Sequence, residues 1–141
     1  ALAVDLDFNE NAFRLSRILI DRWPRLKNRI RYLSSRIEAV DLNPDDLVVS
    51  VHACGRLTDT VIEAAVKAGA RLAVLPCCHD TKAGDLGGLG GWMDGPLTID
   101  ATRAALLRAK GYSVITRTIP EEITPKNRLL MAHPISTGNM V

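Results

Sequence analysis

Two apolar runs rich in β-branched residues constrain the fold more than any other feature of the chain. Residues 47–52 read LVVSVH and residues 71–75 read RLAVL, and both are typical of buried strands. Between them, residues 58–68 have the apolar spacing of a helix, which Thr58 or Asp59 is expected to cap and which the following glycine ends. A strand, a helix and a second strand predict two parallel neighbours, whose carboxyl ends lie at one edge of the sheet. Ligands of open α/β sheets bind in the crevice at that edge.

Both predicted strands end in turns that carry reactive side chains. These residues are His52, Cys54, Cys77, Cys78 and His79. Thiols act as nucleophiles or metal ligands, and imidazoles exchange protons near neutral pH. The sequence therefore predicts a functional site at this edge of the sheet, although buried cysteines that only pack a strand end are the alternative.

The rest of the chain continues the alternation of strands and helices. Further strands are predicted over 1–6, 29–33, 112–118 and 128–133, further helices over 9–23 and 98–110, and a glycine-rich loop over 77–96. This order predicts an α/β domain over residues 1–133, with a Rossmann-like, mostly parallel sheet covered by helices on both faces, and a tail over 134–141. The last two strands are joined without room for a crossover helix, so we expect them to be antiparallel.

The composition is that of an ordinary globular protein, with 47% apolar and 24% charged residues. No apolar run approaches the roughly 20 residues that span a bilayer, so we expect no membrane segment. Three cysteines, two of them adjacent, do not suggest a disulfide framework. This cysteine usage predicts a reducing, cytoplasmic location.

Positive charge is concentrated in residues 14–36. That segment carries eight basic residues against the single acid Asp21, whereas the whole chain has a net charge of only +2. A basic face of this density is compatible with contact to the phosphates of RNA. The alternative is a helix face that is simply solvated.

The order of elements and the two reactive turns together resemble a known family. A parallel sheet closed by an antiparallel strand pair is similar to the class I S-adenosylmethionine-dependent methyltransferase fold. VHACGRLTD and LPCCHD are similar to a group whose fourth strand ends in H-x-C-G-x-x-T-D and whose fifth ends in P-C-C. A related Cys-Cys-His pattern occurs in tRNA 2′-O-methyltransferases. The resemblance implies methyl transfer from S-adenosylmethionine to an unidentified acceptor, with RNA favoured.

The resemblance also implies roles for individual residues. The first strand is similar to the family's second strand, whose terminal acid binds the ribose hydroxyls of the cofactor, and Asp5 stands there with Asp7 as the fallback. The cofactor-binding residues implied in this way are Asp5, Asp7, Ser34, Ser35, His52, Ala53 and Cys54. The catalytic residues implied on the acceptor side are His52, Cys77, Cys78 and His79. An imidazole there would align the acceptor and take its proton, and we expect Asp80 to orient His79.

The chain departs from the family pattern before its first strand. A G-x-G-x-G turn normally follows the family's first strand, and the glycines of residues 84–95 come too late to replace it. That strand lies between the second and the fourth, so its loss would leave two unpaired edges inside the sheet. We therefore expect the C-terminal portion of a longer fold, with weak cofactor binding, rather than a rearranged sheet. An incomplete sheet can also recruit a strand from a second copy, which leaves a homodimer open.

Two other functions are left open by the residues. The absent glycine turn favours a non-catalytic, methyltransferase-like binding or assembly domain, and the Cys/His cluster favours a metal or redox protein. Against a metal, adjacent cysteines in an extended segment point apart and no CxxC spacing exists, so we predict no metal site. Trp92 and Met93 either cover or stack at the site, or pin the glycine-rich loop to the body of the domain.

Overall fold

The computed structural model of the protein describes residues 1–7 and 9–135. Its contacts divide the chain into two compact units, Ala1–Asp41 and Leu42–Val141. The described residues form a mixed α/β structure with three α-helices and two sheets. None of these helices is long and apolar enough to cross a bilayer. The predicted tail begins inside a strand at Pro134, and residues 136–141 lie outside the described part.

The first unit contains one helix and a two-stranded parallel sheet. Its elements are β1 (Leu2–Asp5), α1 (Glu10–Arg22) and β2 (Arg31–Ser34). Asn9 caps α1 by accepting a hydrogen bond from the Ala12 amide. The helix ends before Pro24, because proline has no amide hydrogen to donate and its ring clashes with the preceding turn of a helix. Strands β1 and β2 pair with Asp5 opposite Ser34. Ser34 is therefore the last residue of β2, one position beyond the end of the predicted strand 29–33.

The first unit has almost no core of its own. Ser16 is its one buried residue among those described, whereas Phe13, Leu15 and Ile18 of α1 are between 42% and 63% exposed. Tyr32 Oη donates to the Ala12 carbonyl oxygen at 2.7 Å and ties β2 to α1. Burial of apolar surface is the main stabilising contribution to a fold, and this unit buries little of it. Local hydrogen bonds and partly buried side chains therefore hold the unit together.

The second unit contains a four-stranded mixed sheet and two helices. Its elements are β3 (Leu47–Val51), α2 (Arg56–Ala68), β4 (Arg71–Leu75), α3 (Gly95–Ala109), β5 (Tyr112–Thr118) and β6 (Arg128–Pro134). The strand order is β3-β4-β6-β5. Strands β3 and β4 are parallel, and β6 runs antiparallel to both β4 and β5. The predicted parallel pair and the predicted antiparallel closing pair are both confirmed.

Both helices of this unit begin earlier than their apolar spacing indicates. Helix α2 starts at Arg56 because Gly55, at φ +55°, turns the chain directly from the strand end into the helix. Helix α3 starts at Gly95 because the Asp94 carboxylate caps the Leu97 amide. Gly69 ends α2 in the left-handed conformation, as predicted.

The core of the second unit lies between the sheet and one helix layer. Leu72 and Val74 of β4 and Leu107 of α3 are at most 1% exposed. An ion pair between Asp59 of α2 and Arg103 of α3 joins the two helices. The connections from β3 to β4 and from β4 to β5 advance in the same direction along the sheet, and right-handed connections then place both helices on one face. Helices on both faces of a single sheet stay a prediction, because α1 belongs to the other unit.

Strands β3 and β5 are the outer strands of the four-stranded sheet within the described residues. Along β3, Leu47, Val49 and Val51 are between 56% and 61% exposed. These alternate residues lie on one face of the strand, so that face of β3 is largely open to solvent. The expectation that the chain lacks the family's first strand stays a prediction.

Candidate functional site

The turns after β3 and β4 are joined by two backbone hydrogen bonds. The His52 amide donates to the Leu75 carbonyl at 2.9 Å, and the Gly55 amide donates to the Cys78 carbonyl at 2.8 Å. His52 has φ +59°, a left-handed conformation that is uncommon outside glycine. Residues held in such conformations cluster at functional sites, where the surrounding structure enforces them. The surrounding structure therefore holds the turn after β3 in one specific backbone conformation.

Three thiols converge at this edge of the sheet. Cys54 Sγ lies 3.3 Å from Cys77 Sγ, which lies 3.6 Å from Cys78 Sγ. The thiols of Cys54 and Cys77 both donate to the His52 carbonyl oxygen, at 3.6 and 3.4 Å. Cys77 is buried, whereas Cys54 and Cys78 are exposed. The expectation that the adjacent cysteines point apart is wrong, because the chain has left β4 by residue 76 and the alternation of an extended strand no longer applies.

The thiols of this cluster influence one another's protonation. Hydrogen bonds from Cys54 and Cys77, with a smaller contribution from the Lys126 ammonium, lower the pKa of Cys78. Hydrogen bonds to Cys77 and Cys78 raise the pKa of Cys54 to about 12. A thiol that donates to a neighbour keeps its proton, and the neighbour that accepts becomes a thiolate more readily. Cys78 therefore ionises before Cys54.

His79 does not join the thiol cluster. Its side chain is 4% exposed and its Nε2 lies 2.8 Å from Asp100 Oδ1 on α3. Asp80, which we expected to orient this imidazole, accepts instead from the Lys82 and Ala83 amides and closes a local turn. Asp100 is thus a residue that the sequence did not reveal, because only the packing of α3 brings it to the turn after β4.

Asp100 is the centre of a charged network. Its Oδ1 also lies 3.2 Å from Arg103 Nη1, and its Oδ2 lies 2.8 Å from Arg128 Nε on β6. Arg103, 6% exposed, holds Asp59 of α2 with two hydrogen bonds of 2.6 and 3.0 Å. Asp59 was expected to cap α2 and pairs across the helix layer instead. The network fixes the orientation of His79 relative to both helices and the sheet.

Three of the four predicted cofactor residues of the first unit line one cavity. Asp5, Asp7 and Ser34 contribute to its wall, and its volume is about 800 Å³. Asp5 Oδ1 accepts from the Leu6 amide at 2.8 Å, while Oδ2 has no hydrogen-bond partner among the described residues. Ser35 is outside this wall, and its hydroxyl donates to the Arg36 carbonyl. The volume lies in the range of small-molecule sites, and a carboxylate oxygen available for a diol fits the ribose of S-adenosylmethionine.

The glycine-rich loop lies closely on α3. A Cβ at Gly84 would lie 2.6 Å from Ile99 Cδ1, and one at Gly87 would lie 2.5 Å from Thr102 Oγ1. Trp92 is 87% exposed, so it does not pin the loop to the body of the unit. The close approach of Gly84 and Gly87 to side chains of α3 holds the loop in place instead. A covering or stacking role for Trp92 stays a prediction.

The basic segment presents its charge to solvent. All eight of its arginine and lysine side chains are exposed. Within residues 1–7 and 9–135, none of them is part of an ion pair. The full positive charge of the segment is thus available to an anionic partner.

Comparison with known proteins gives one family match. A family model described as a methyltransferase domain matches residues 4–83, which is more than half of the chain. The matched range contains Asp5, Ser34 and both cysteine-bearing turns. Neither the curated proteins nor the solved structures give a significant match.

Proposed function

Because the chain belongs to the methyltransferase domain family, we propose that it transfers a methyl group from S-adenosylmethionine to an acceptor, for which RNA is the favoured class. The observation that carries this proposal is the match over residues 4–83, which includes the predicted cofactor residues and the cysteine turns. When bound, the cofactor supplies an electrophilic methyl group. The protein's own residues bind it, align the acceptor and take the acceptor's proton.

The first unit would hold the ribose of the cofactor. The free carboxylate oxygen of Asp5 would accept hydrogen bonds from the ribose diol, and Asp7 and Ser34 line the same cavity. The backbone at Ser34 and Ser35 would contact the adenine, since no acid follows β2 directly.

His52 is our preferred proton acceptor on the acceptor side. Its side chain is exposed at the end of β3, and its strained backbone is held by the cysteine turns. His79 is buried against Asp100, so we assign it a positioning role for the turn that carries Cys77 and Cys78. Ala53, 8% exposed, and Cys54 follow His52 in the chain before α2 and would shape the wall of the site.

Titration calorimetry of the full chain with S-adenosylmethionine tests the cofactor proposal. We expect Asp5→Asn to weaken binding about tenfold or more, because a hydrogen bond to a charged group contributes roughly 1.5–3 kcal/mol. Asp21→Asn, an exposed acid on α1, is the matched control and keeps the parent affinity. No binding at millimolar cofactor would contradict the proposal and favour a non-catalytic methyltransferase-like domain.

The RNA proposal rests on the exposed basic segment. We expect binding to single-stranded RNA to fall steeply with salt, with a log–log slope that decreases by about 0.7 for each phosphate contact removed. The variant Arg25→Gln/Lys27→Gln/Arg29→Gln should lower that slope by about two units. The matched control changes two exposed bases of α3 and the turn after it, Arg108→Gln/Lys110→Gln, and leaves the slope unchanged. Equal decreases of the slope in both variants would show that positive charge anywhere on the protein attracts RNA non-specifically.

A further inference from the structure

We propose that Cys54, Cys77 and Cys78 bind a zinc ion through three thiolates, with a fourth position open to an exchangeable ligand. The proposal goes beyond methyl transfer, because it concerns a metal that neither the family match nor the acceptor requires. It also replaces our expectation from sequence that no metal site exists here. Three features of the second unit carry it: the sulfur spacing, the rigidity of the frame and the exposure of the cluster.

The sulfur spacing is that of a thiolate metal site. The three Sγ atoms all lie within 4.8 Å of one another, with two separations of 3.3 and 3.6 Å. A tetrahedral zinc with Zn–S bonds of about 2.3 Å places its sulfur ligands about 3.8 Å apart. Each pair therefore needs an adjustment of at most about 1 Å to bind one ion. A disulfide would need the nearest two sulfur atoms, 3.3 Å apart, to approach by about 1.2 Å, since bonded sulfur atoms are about 2.05 Å apart.

The backbone frame that presents these sulfurs is held by strand pairing. The register of β3 and β4 places Val51 opposite Leu75, and the amides of His52 and Gly55 extend the pairing to Cys78. The His52 carbonyl oxygen accepts from two of the thiols and holds them on one side of the turn. Metal sites gain affinity when the ligands are oriented before the ion arrives.

Access to the cluster differs among its members. Cys54 and Cys78 are exposed, so an ion can enter from solvent, and Cys77 closes the site on the buried side. Among the described residues, no histidine or carboxylate completes the set within 4.8 Å of all three sulfurs. Three protein ligands with an open fourth position are the arrangement of reactive rather than purely structural zinc sites. Soft thiolates favour zinc over magnesium or calcium at such a place.

Cobalt titration and metal analysis of the full chain test this proposal. We expect about one zinc per chain after purification without chelator, and sulfur-to-cobalt charge-transfer absorption when Co²⁺ is added to the metal-free protein. Cys54→Ser and Cys78→Ser should each weaken cobalt binding at least tenfold. Both residues are exposed, so these variants keep the fold, which circular dichroism verifies. A small thiol added to the cobalt form should shift its visible bands by occupying the open position.

The control variant is His133→Ala, which removes an exposed metal-binding side chain outside the cluster. It should retain the parent affinity and the charge-transfer absorption. Absence of that absorption at stoichiometric cobalt, or unchanged affinity in both serine variants, would overturn the proposal. An equal loss in His133→Ala would also overturn it, by showing that the metal is bound non-specifically.

Discussion

Asp100 Oδ1 lies 2.8 Å from His79 Nε2 and joins helix α3 to the turn that follows β4. The same carboxylate contacts Arg103 and Arg128, so one acid stabilises one imidazole and two guanidinium groups. Because the two side chains of the pair are only 4% and 12% exposed, water does not replace this carboxylate. The position of the turn carrying Cys77 and Cys78 therefore depends on a residue of α3.

Replacing this carboxylate should destabilise the protein. Asp100→Asn removes the charge while keeping the volume, and leaves the buried Arg103 without one of its acidic partners. We expect a loss of about 2 kcal/mol in the free energy of unfolding, measured by urea denaturation. Glu122→Gln, an exposed acid of the same unit, should change it by less than about 0.5 kcal/mol. Similar losses in both variants would mean that net charge, rather than the network, is responsible.

The planar shape of Arg103 matters as well as its charge. Arg103→Lys keeps the charge but cannot form the two parallel hydrogen bonds to Asp59 while also contacting Asp100. We expect a loss of about 1–2 kcal/mol in unfolding free energy. Arg108→Lys, at an exposed position of the same helix, serves as control and should be neutral. Equal stability of the two variants would show that one ammonium suffices at position 103.

The three cysteines should react at different rates in the metal-free protein. The lowered pKa of the exposed Cys78 gives it a larger thiolate fraction near neutral pH than the exposed Cys54, whose pKa is raised to about 12. Cys77 is buried, which limits the access of a reagent to its thiol. Peptide mapping after brief treatment with iodoacetamide should find Cys78 modified first. The rate at which Cys78 is modified should reach its plateau at a lower pH than the rate for a free cysteine does. Faster modification of Cys54 would contradict the order of ionisation.

The buried phenol of Tyr112 should make stability depend on alkaline pH. Its hydroxyl donates to the Ala65 and Ala70 carbonyl oxygens, and burial raises its pKa. The unfolded chain then loses this proton more easily than the folded protein, so stability falls as pH rises above about 10. Tyr112→Phe should cost about 1 kcal/mol at pH 8, and this difference should shrink at pH 10.5. If the difference in unfolding free energy between Tyr112→Phe and the parent protein did not change with pH, the raised pKa of Tyr112 would be contradicted.

The glycine-rich loop offers a graded series of alanine substitutions. Gly87 has φ +55° and would place a Cβ against Thr102, Gly88 has φ +74° with open space around it, and Gly91 has neither constraint. We expect Gly88→Ala to cost about 1 kcal/mol, Gly87→Ala clearly more, and Gly91→Ala almost nothing. Urea denaturation measures all three. Equal effects at 87 and 88 would show that Thr102 moves aside freely.

Much of the architecture was decided by local sequence. The alternation of strands and helices, the glycine that ends α2 and the short connection that forces β5 and β6 to be antiparallel all follow from nearby residues. The cysteine turns could be placed at one sheet edge because parallel strands end on the same side. Local pattern is sufficient for these features because backbone hydrogen bonding and apolar spacing act over a few residues.

Only the tertiary structure decided how the reactive side chains are grouped. It separated His79 from the thiols by pairing it with Asp100, and it brought the sulfurs of Cys54, Cys77 and Cys78 together. It also moved Asp59 from the expected cap to Arg103. These contacts join residues far apart in the chain, and their formation depends on how α3 packs on the sheet. The sequence therefore determined where chemistry is concentrated, and the packing determined which groups act together, because side-chain distances depend on the whole fold.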